Sequence, residues 1–283
     1  MRMLITGAGG MLGHDVREAA ERHGHETFPL TRADLDITDP DAIGAAIAQA
    51  EPEVVINCAA WTDVDGAEDR YDEVRSVNAT GAGNVGAAAA AAGAWTVHVS
   101  TDYVFDGTHT RPYLESDETF PMSGYGRSKL EGEYALAAAA PDRHTIVRSS
   151  WLFGASGSCF PKTILRLAGE RDELSVVADQ IGCPTFTGHL GAALVRLAAG
   201  SRPPGVLHLA AGGECSWFEF ARAIVDGAQA RCEISPCTTE EFPRPAPRPA
   251  YSVLRSERDD APPGLPHWRQ GLSEFLAGVE VAA

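Results

Sequence analysis

The chain has 283 residues, 44% of them hydrophobic, which is enough to bury a sizeable core in one large α/β domain or in a domain with a smaller lobe. It carries 39 acidic against 23 basic residues and a formal net charge of -16, which disfavours binding to nucleic acid. The six cysteines form no C-x-x-C pair and no zinc spacing, so we expect reduced thiols in a cytoplasmic protein. A signal peptide or membrane span is not expected, because the first apolar run is very short.

The first half of the chain alternates short apolar strands with helical stretches. This alternation, with strands that are apolar on both faces, predicts a doubly wound parallel sheet of the Rossmann type, covered by helices on both sides. Ligands of such folds bind at the carboxyl ends of the strands. The predicted strands are residues 3–6, 25–30, 54–57, 95–100 and 144–149.

A glycine-rich turn, G-A-G-G-M-L-G, follows the first predicted strand and opens a helix. Gly7, Gly10 and Gly13 would let the backbone approach a pyrophosphate, while the helix N-terminus supplies N–H groups and a positive dipole end. Met11 and Leu12 lie within the same predicted cofactor loop. A tight turn with no ligand is the alternative, but the position directly after the first strand favours dinucleotide binding.

The segment after the second strand, L-T-R-A-D-L-D-I-T-D, is where a dinucleotide-binding fold contacts the adenosine ribose. Thr31 and Arg32 lie nearest the strand end, and an arginine there can accept a 2′-phosphate. We therefore predict NADPH as cofactor, with NADH possible, and an ordinary exposed charge as the alternative for Arg32. Asp36 and Ile37 are predicted to flank the adenine.

Two further segments are predicted to border the cofactor. In N-C-A-A-W-T-D-V-D, after the third strand, Ala59 and Ala60 are small enough for a ligand to pass close to the backbone, although close packing is the alternative. The next helix contains V-N-A-T-G, which places Asn78 at a mid-helix position for which Asn has poor propensity. A buried Asn at such a place satisfies backbone groups, and we include Asn78 in the predicted site.

The stretches S-T-D-Y-V-F-D-G and Y-G-R-S-K lie at the same edge of the predicted sheet as the glycine-rich turn. Tyr125 and Lys129 are one helical turn apart, so their side chains share a helix face. A phenol with its usual pKa near ~10 is a poor acid at pH 7. We expect Lys129 to lower the pKa of Tyr125 and also to hold a nicotinamide ribose hydroxyl. The Thr101 hydroxyl would orient a substrate carbonyl, with Ser100 as the rival hydroxyl.

Taken together, these motifs resemble the extended short-chain dehydrogenases/reductases and, within them, the family of dTDP-4-dehydrorhamnose reductases. A Tyr-x-x-x-Lys spacing alone occurs in many helices, and the ordered set is much more specific. The resemblance implies that Thr101, Tyr125 and Lys129 form a catalytic triad for NADPH-dependent reduction of the C4 ketone of a dTDP-4-keto-6-deoxy sugar. The matching segments are T-G-A-G-G-M-L-G, C-A-A-W-T-D-V-D, V-N-A-T-G, S-T-D-Y-V-F-D-G, Y-G-R-S-K, R-S-S-W-L-F-G, G-C-P-T-F-T, R-P-A-Y-S-V-L and L-P-H-W-R-Q-G-L.

The same resemblance indicates which residues bind the nucleotide sugar. Asp102, Tyr103 and Trp151 match positions that line the sugar pocket, and Trp61 stands near the ligand where relatives often have Tyr. Arg248 matches a late basic contact to the nucleotide, with a solvated loop arginine as the alternative. Some relatives dimerise through magnesium held by acidic side chains. Those positions have no match here, so we predict no metal; a homodimer stays possible.

The second half of the chain differs from the first, because the strict alternation weakens and prolines accumulate. We predict an NAD(P)-binding domain at 1–152 and mainly a smaller α/β substrate lobe at 153–283, with some segments returning to the first domain. The stretch V-L-H-L-A at 206–210 is predicted to be a returning strand. The remaining tryptophans Trp95, Trp217 and Trp268 are predicted to pack in the interior.

Other classes of function are the alternatives to a reductase. The scattered histidines and the lack of G-x-S-x-G disfavour zinc hydrolases and esterases. A reductase for another dTDP-ketosugar, such as one of the dihydrostreptose branch, stays open. So does a nicotinamide-binding regulatory subunit without turnover, although such relatives usually lose the tyrosine or the lysine.

Overall fold

The structure, a computed structural model, describes residues 1–278, so the last five residues of the predicted second lobe lie outside the description. Most strands of the first half are bounded as the sequence predicts, to within one or two residues. In chain order the strands are β1 (Arg2–Thr6), β2 (Glu26–Leu30), β3 (Val54–Asn57), β4 (Trp95–Thr101), β5 (His144–Ser149), β6 (Leu152–Phe153), β7 (Glu173–Val177), β8 (Ile181–Gly182), β9 (Thr185–Phe186), β10 (Gly205–His208), β11 (Ala211–Gly212), β12 (Cys215–Ser216), β13 (Glu233–Cys237) and β14 (Leu265–His267).

Helices follow most of these strands, and two short irregular helices lie beside the predicted site. A π-helix spans Ser76–Gly81 and a 3-10 helix spans Asp102–Val104. None of the helices in the described part of the chain has the length and apolarity that crossing a membrane requires. The α-helices are α1 (Met11–Arg22), α2 (Pro40–Ala50), α3 (Gly66–Asp69), α4 (Tyr71–Arg75), α5 (Ala82–Ala91), α6 (Gly124–Ala139), α7 (Phe160–Glu170), α8 (Thr187–Ala199), α9 (Trp217–Gly227) and α10 (Trp268–Gly278).

The main sheet of residues 1–278 has six parallel strands in the order β10, β5, β4, β3, β1, β2. The chain runs outward from β1 to β2, then returns to the other side of β1 to form β3, β4 and β5. Strand order therefore reverses between β1 and β3. In open α/β sheets a ligand crevice forms at the carboxyl ends of the strands where the order reverses. This places the glycine-rich turn after β1 and the small-residue loop after β3 at one crevice.

Both faces of the main sheet are covered, which confirms the predicted doubly wound fold. Ile5 and Val16 belong to one buried cluster with Leu194 of α8. On the opposite face, a second buried cluster joins Leu4 of β1 to helices α2 and α5 through Ile43 and Val85. Since successive side chains of a strand point to opposite faces, a strand covered on both sides is apolar throughout.

The smaller α/β lobe has an aromatic core of its own. Phe153, Phe220, Trp268 and Phe275 are each at most 2% exposed and contact one another through their rings. Burying a side chain of this size contributes about 1.5–3 kcal/mol relative to leaving it in water. Two segments of the second half nevertheless lie outside this lobe. β10 pairs with β5 in the main sheet, and α8 packs against α1.

Candidate active site

A large cavity opens at the carboxyl ends of the main-sheet strands and extends beneath the smaller lobe. Its volume is about 1440 Å³, above the roughly 300–1,000 Å³ of pockets for drug-sized ligands, so it has room for two neighbouring ligands. The walls run from the glycine-rich turn to Phe160 of α7 and Trp217 of α9. Every residue predicted for the site lines this cavity except Asn78 and Arg248.

The glycine-rich turn is packed so tightly that side chains do not fit. Gly7 has a φ of +66°, and a Cβ there would lie 2.6 Å from the Ala59 backbone nitrogen. A Cβ on Gly13 would collide with the Gly7 carbonyl. Gly10 occupies the N-cap position of α1, where the lack of a side chain leaves the first-turn N–H groups to a ligand. Because this turn lines the cavity, it can bind an anionic group there.

The loop after β2 forms one end of the cavity. Thr31 donates from its N–H and its hydroxyl to Asp34 Oδ2, at 2.9 and 2.6 Å. Asp36 accepts from the N–H and hydroxyl of Thr38, which lowers the pKa of Asp36. The two carboxylates are therefore held by their own loop. Arg32 is exposed and lines the same part of the cavity, and its charge also contributes to lowering the pKa of Asp36.

The predicted triad meets at the carboxyl end of β4. Thr101 ends that strand, and its hydroxyl accepts from the Tyr103 N–H at 3.2 Å and donates to Asp102 Oδ1 at 3.0 Å. Tyr125 and Lys129 lie on the first turns of α6. Burial raises the pKa of Tyr125 to about 12, and a hydrogen bond with the Thr101 side chain opposes the rise. The predicted lowering of this pKa is therefore wrong for this structure.

The side-chain nitrogen of Lys129 contacts β4. Nζ donates to the Val99 carbonyl at 2.7 Å and lies 3.3 Å from His98 Nε2. Burial lowers the pKa of Lys129 to about 8, and the charge of Glu133 opposes this. Sequence reasoning did not select His98, because a histidine within an apolar strand resembles any other core residue.

Asp102 is a buried carboxyl group beside the triad. It is 2% exposed, and burial raises its pKa to about 7, with the Thr101 hydrogen bond opposing. A negative charge on Asp102 raises the pKa of Tyr125, because phenolate and carboxylate repel one another. The protonation state of Asp102 thus affects the phenol.

Two stacked tryptophans line the cavity, and one of them belongs to the smaller lobe. Trp151 and Trp217 lie parallel at a centroid distance of 3.5 Å and an interplanar angle of 4°. Trp151 has a φ of +47°, and a Cβ on Gly182 would lie 2.6 Å from its indole nitrogen. The prediction that Trp217 is only interior packing is wrong, because this residue lines the cavity. Stacking between positions so far apart leaves no local signal in the sequence.

Asn78 lies behind the cavity wall rather than in it. It sits within the π-helix and is 1% exposed. Its Oδ1 accepts from the Trp61 N–H at 2.7 Å, while Nδ2 donates to the Trp61 carbonyl at 3.1 Å and to Ser128 Oγ at 2.9 Å. Asn78 therefore connects the loop after β3 to the helix that carries Tyr125 and Lys129.

Arg248 also lies outside the cavity lining. Its guanidinium donates to Asp65 Oδ1 at 3.0 Å and to the Ala246 carbonyl at 2.8 Å, and it lies 6.0 Å from the Tyr103 ring. Arg244 pairs with the same carboxylate at 2.6 Å. Arg248 is thus neither a solvated arginine nor a cavity residue, and Asp65 ties the proline-rich segment to the first half of the chain.

The described residues also include six thiols and one cluster of metal-ligating groups. The cysteines are all free thiols, and burial raises the pKa of Cys58 to about 12. Three ligating side chains converge at His14, Asp15 and Glu18 on α1, partly exposed to solvent. Exposed acidic groups commonly cluster in this way, so the cluster assigns no metal.

Comparison with known proteins agrees with this geometry. The family model described as "RmlD substrate binding domain" matches residues 1–281. The dTDP-4-dehydrorhamnose reductase of Mycolicibacterium smegmatis is 45% identical, across 98% of this chain and 86% of that protein. The spore coat polysaccharide biosynthesis protein SpsK of Bacillus subtilis is 41% identical, across 97% of this chain and 96% of that protein.

Solved structures show the same relationship. A dTDP-4-dehydrorhamnose reductase from Clostridium acetobutylicum is 42% identical with a TM-score of 0.94, covering 98% of this chain and 99% of that one. The Bacillus anthracis reductase, solved in complex with NADP, is 38% identical with a TM-score of 0.95 and the same coverage. The chain therefore belongs to the dTDP-4-dehydrorhamnose reductase family of extended short-chain dehydrogenases/reductases.

Proposed function

We propose that this protein reduces the C4 ketone of a dTDP-4-keto-6-deoxy sugar with NADPH, in deoxysugar biosynthesis. The observation that carries the proposal is the placement of Thr101, Tyr125 and Lys129 in the same cavity as a glycine-rich turn. The relatives named as reductases, and the related structure bound to NADP, support the same assignment.

Tyr125 is the proposed proton donor. With a pKa of about 12 its hydroxyl stays protonated throughout the physiological range. An alkoxide is a much stronger base than a phenolate, so proton transfer from Tyr125 to the reduced oxygen is favourable. Thr101, which ends β4 beside the phenol, would orient the ketone. The hydride comes from the nicotinamide of NADPH when it is bound.

The cofactor would extend from this triad to the loop after β2. The pyrophosphate fits the glycine-rich turn, where the first-turn N–H groups of α1 supply donors. Ala59 and Ala60 border its path, and Arg32 would accept the 2′-phosphate, with Asp36 and Ile37 beside the adenine. Asn78 would act by fixing the backbone around Trp61.

The smaller lobe is proposed to hold the nucleotide sugar. Trp61, Asp102, Tyr103 and the stacked Trp151 line the cavity and are the proposed contacts of the sugar nucleotide. Arg248 is held by Asp65, so contact with a substrate phosphate would require the guanidinium to leave that carboxylate. A homodimer and a cytoplasmic location remain predictions from the sequence.

The assignment is tested by mixing the purified protein with NADPH and dTDP-4-dehydrorhamnose and recording loss of the reduced-cofactor absorbance. Tyr125→Phe should lower turnover about 100- to 10,000-fold with NADPH binding retained, since it removes the proton donor. Tyr134→Phe is the matched control, because Tyr134 lies on the same helix and is 61% exposed.

Each other outcome points to a different function. Oxidation of NADPH only by another dTDP-ketosugar would assign the related reductase, of which the dihydrostreptose branch is one case. Cofactor binding without oxidation by any ketosugar would favour a regulatory subunit. Near-normal turnover of Tyr125→Phe would remove Tyr125 from its proposed role.

A further inference from the structure

A buried chain of hydrogen bonds leads from β1 to Lys129. The Thr6 hydroxyl donates to Asn57 Oδ1 at 2.7 Å, and Asn57 Nδ2 lies 3.1 Å from His98 Nδ1. His98 Nε2 in turn lies 3.3 Å from Lys129 Nζ. The four side chains are at most 2% exposed, so water does not compete for these contacts. Three adjacent strands thus connect to the lysine of the proposed triad.

Hydrogen-bond geometry assigns the orientation of each group in this chain. The Ala59 N–H can only donate, and it donates to Asn57 Oδ1 at 3.1 Å. The amide nitrogen of Asn57 must then face His98, and it too can only donate. His98 Nδ1 therefore presents a lone pair, and a neutral ring carries its proton on Nε2. That proton faces Lys129.

An N–H that faces the lysine nitrogen distinguishes between the two protonation states of Lys129. The uncharged amine has a lone pair that can accept from His98 Nε2–H, whereas the ammonium has only donors. Donation from Nζ to the Val99 carbonyl is available to both forms. We propose that His98 is a positioning residue whose Nε2–H, fixed by Asn57, donates to Lys129 and favours the uncharged amine.

Two other titratable groups near Lys129 act in the opposite direction, toward the ammonium form. Glu133, on the same helix, favours the charged form, but its carboxylate is bound by Arg148 at 2.7 Å and by Ser100. Cys58, after β3, acts the same way only when ionised, and burial raises its pKa to about 12. Burial and Lys129 hold the pKa of His98 well below its usual value, so the ring stays neutral.

The catalytic consequence rests on the proposed reductase function. A cation near Tyr125 stabilises the phenolate that forms when its proton is given up, so the ammonium form of Lys129 should be the active one. Turnover should then fall as pH rises through the Lys129 titration, whose pKa is about 8. Any change that raises the pKa of Lys129 should move this decline to higher pH.

The chain offers an unusually direct measurement, because Lys129 and Lys162 are its only two lysines. In protein labelled with ¹³C at lysine Cε, the Lys129 signal should titrate near pH 8, below the usual range of a lysine, and Lys162→Arg identifies which signal belongs to Lys129. In ¹⁵N-histidine spectra the ring signals lost in His98→Gln belong to His98. They should show the Nε2–H tautomer. An Nδ1–H tautomer would overturn the proposal, and this test does not depend on enzyme activity.

Two variants test whether the ring carries the effect. Asn57→Asp should accept from His98 Nδ1–H, turn the Nε2 lone pair toward Lys129 and raise its titration midpoint by about 1 unit or more. His98→Gln can keep an N–H toward Lys129 and should leave the midpoint nearly unchanged.

The double variant Asn57→Asp with His98→Leu separates the ring from the added charge. If the Lys129 midpoint shifts as much in the double variant as in Asn57→Asp alone, the carboxylate acts directly and the proposal is contradicted. The proposal is also contradicted if Asn57→Asp unfolds at the normal temperature but does not shift the Lys129 midpoint. These titrations need no substrate. If the protein shows no reductase activity, they still decide the role of His98, and the pH profile of turnover alone tests its catalytic consequence.

Discussion

The two ends of the cavity are built in different ways. The cofactor end is formed by residues close together in sequence, with Gly7, Gly10 and Gly13 in one turn at the start of α1. The sugar end depends on residues far apart, since Trp151 follows β5 and Trp217 begins α9. At the cofactor end, one local turn positions the backbone N–H groups that can bind an anion. At the sugar end, the cavity wall forms only after the whole lobe has folded. Substitutions at the two ends should therefore affect different steps.

Among substitutions at the two ends, the largest effect is expected at the cofactor end. In Gly13→Ala the added Cβ meets the Gly7 carbonyl, and overpacking against backbone costs about 1–3 kcal/mol. If this cost falls on the cofactor-binding form of the turn, NADPH affinity, measured by fluorescence titration, should decrease by up to roughly 100-fold. Gly44→Ala in α2 is the control, because a Cβ there meets nothing within 4 Å. Equal NADPH affinity in both variants would show that the turn does not bind the cofactor.

The buried carboxyl group at the sugar end should affect stability rather than cofactor affinity. The folded-state pKa of Asp102 is about 7 against 3.8 for the ordinary group, so the folded protein binds more protons between these values. Stability therefore decreases as pH rises through that window, and the full penalty remains above it. Asp102→Asn removes the penalty.

Denaturant titrations give the difference in the free energy of unfolding between Asp102→Asn and the parent protein. This difference should increase by about 2 kcal/mol as pH rises through that window. The full pKa shift would give more, but the protein relaxes around the charge. A difference that does not vary with pH would mean that Asp102 titrates normally. Asp106→Asn is a control on the same loop, because hydrogen bonding lowers the pKa of Asp106 and its charge is not penalised.

The stacked tryptophans should separate the two ligands kinetically. Trp217→Ala removes one face of the stack, and we expect the KM for the sugar nucleotide to rise about 10-fold, in line with about 1–1.5 kcal/mol for an aromatic pair. NADPH affinity should not change, because the tryptophan lies at the opposite end. Trp217→Phe should recover most of the loss. Weakened NADPH binding in Trp217→Ala would mean that the two ends are coupled.

The smallest effect is expected at Arg32. Its guanidinium is exposed, so a phosphate contact there is screened by solvent and contributes only about 1 kcal/mol. Arg32→Ala should reduce the preference for NADPH over NADH about 5-fold, measured as the ratio of kcat/KM values. Arg22→Ala, at the far end of α1, is the control. An unchanged ratio would support the reading of Arg32 as an ordinary surface charge.

Local patterns in the sequence predict the first half of this structure well. A strand that is buried on both faces reads as a short apolar run, and a turn without room for side chains reads as glycines. The spacing of Tyr125 and Lys129 likewise follows directly from helix geometry. These features are predictable because each depends on residues within one or two turns of chain.

Features that depend on burial and on distant contacts were not predictable. The direction of the Tyr125 pKa shift follows from desolvation, which no local pattern reports. His98 and Trp217 reach the site only after separate elements pack. Arg248 is held by Asp65, 183 residues away in sequence, and that pairing has no signature in either segment.

The sixth strand of the main sheet has a consequence for dividing this protein. β10 is contributed by residues beyond 200 and pairs with β5, while α8 covers α1 through Leu190 and Leu194. A fragment ending at residue 152 would leave an unpaired strand edge and a bare apolar helix surface. Such fragments self-associate. Limited proteolysis should accordingly release no stable cofactor-binding half, and the two regions should unfold in a single cooperative transition.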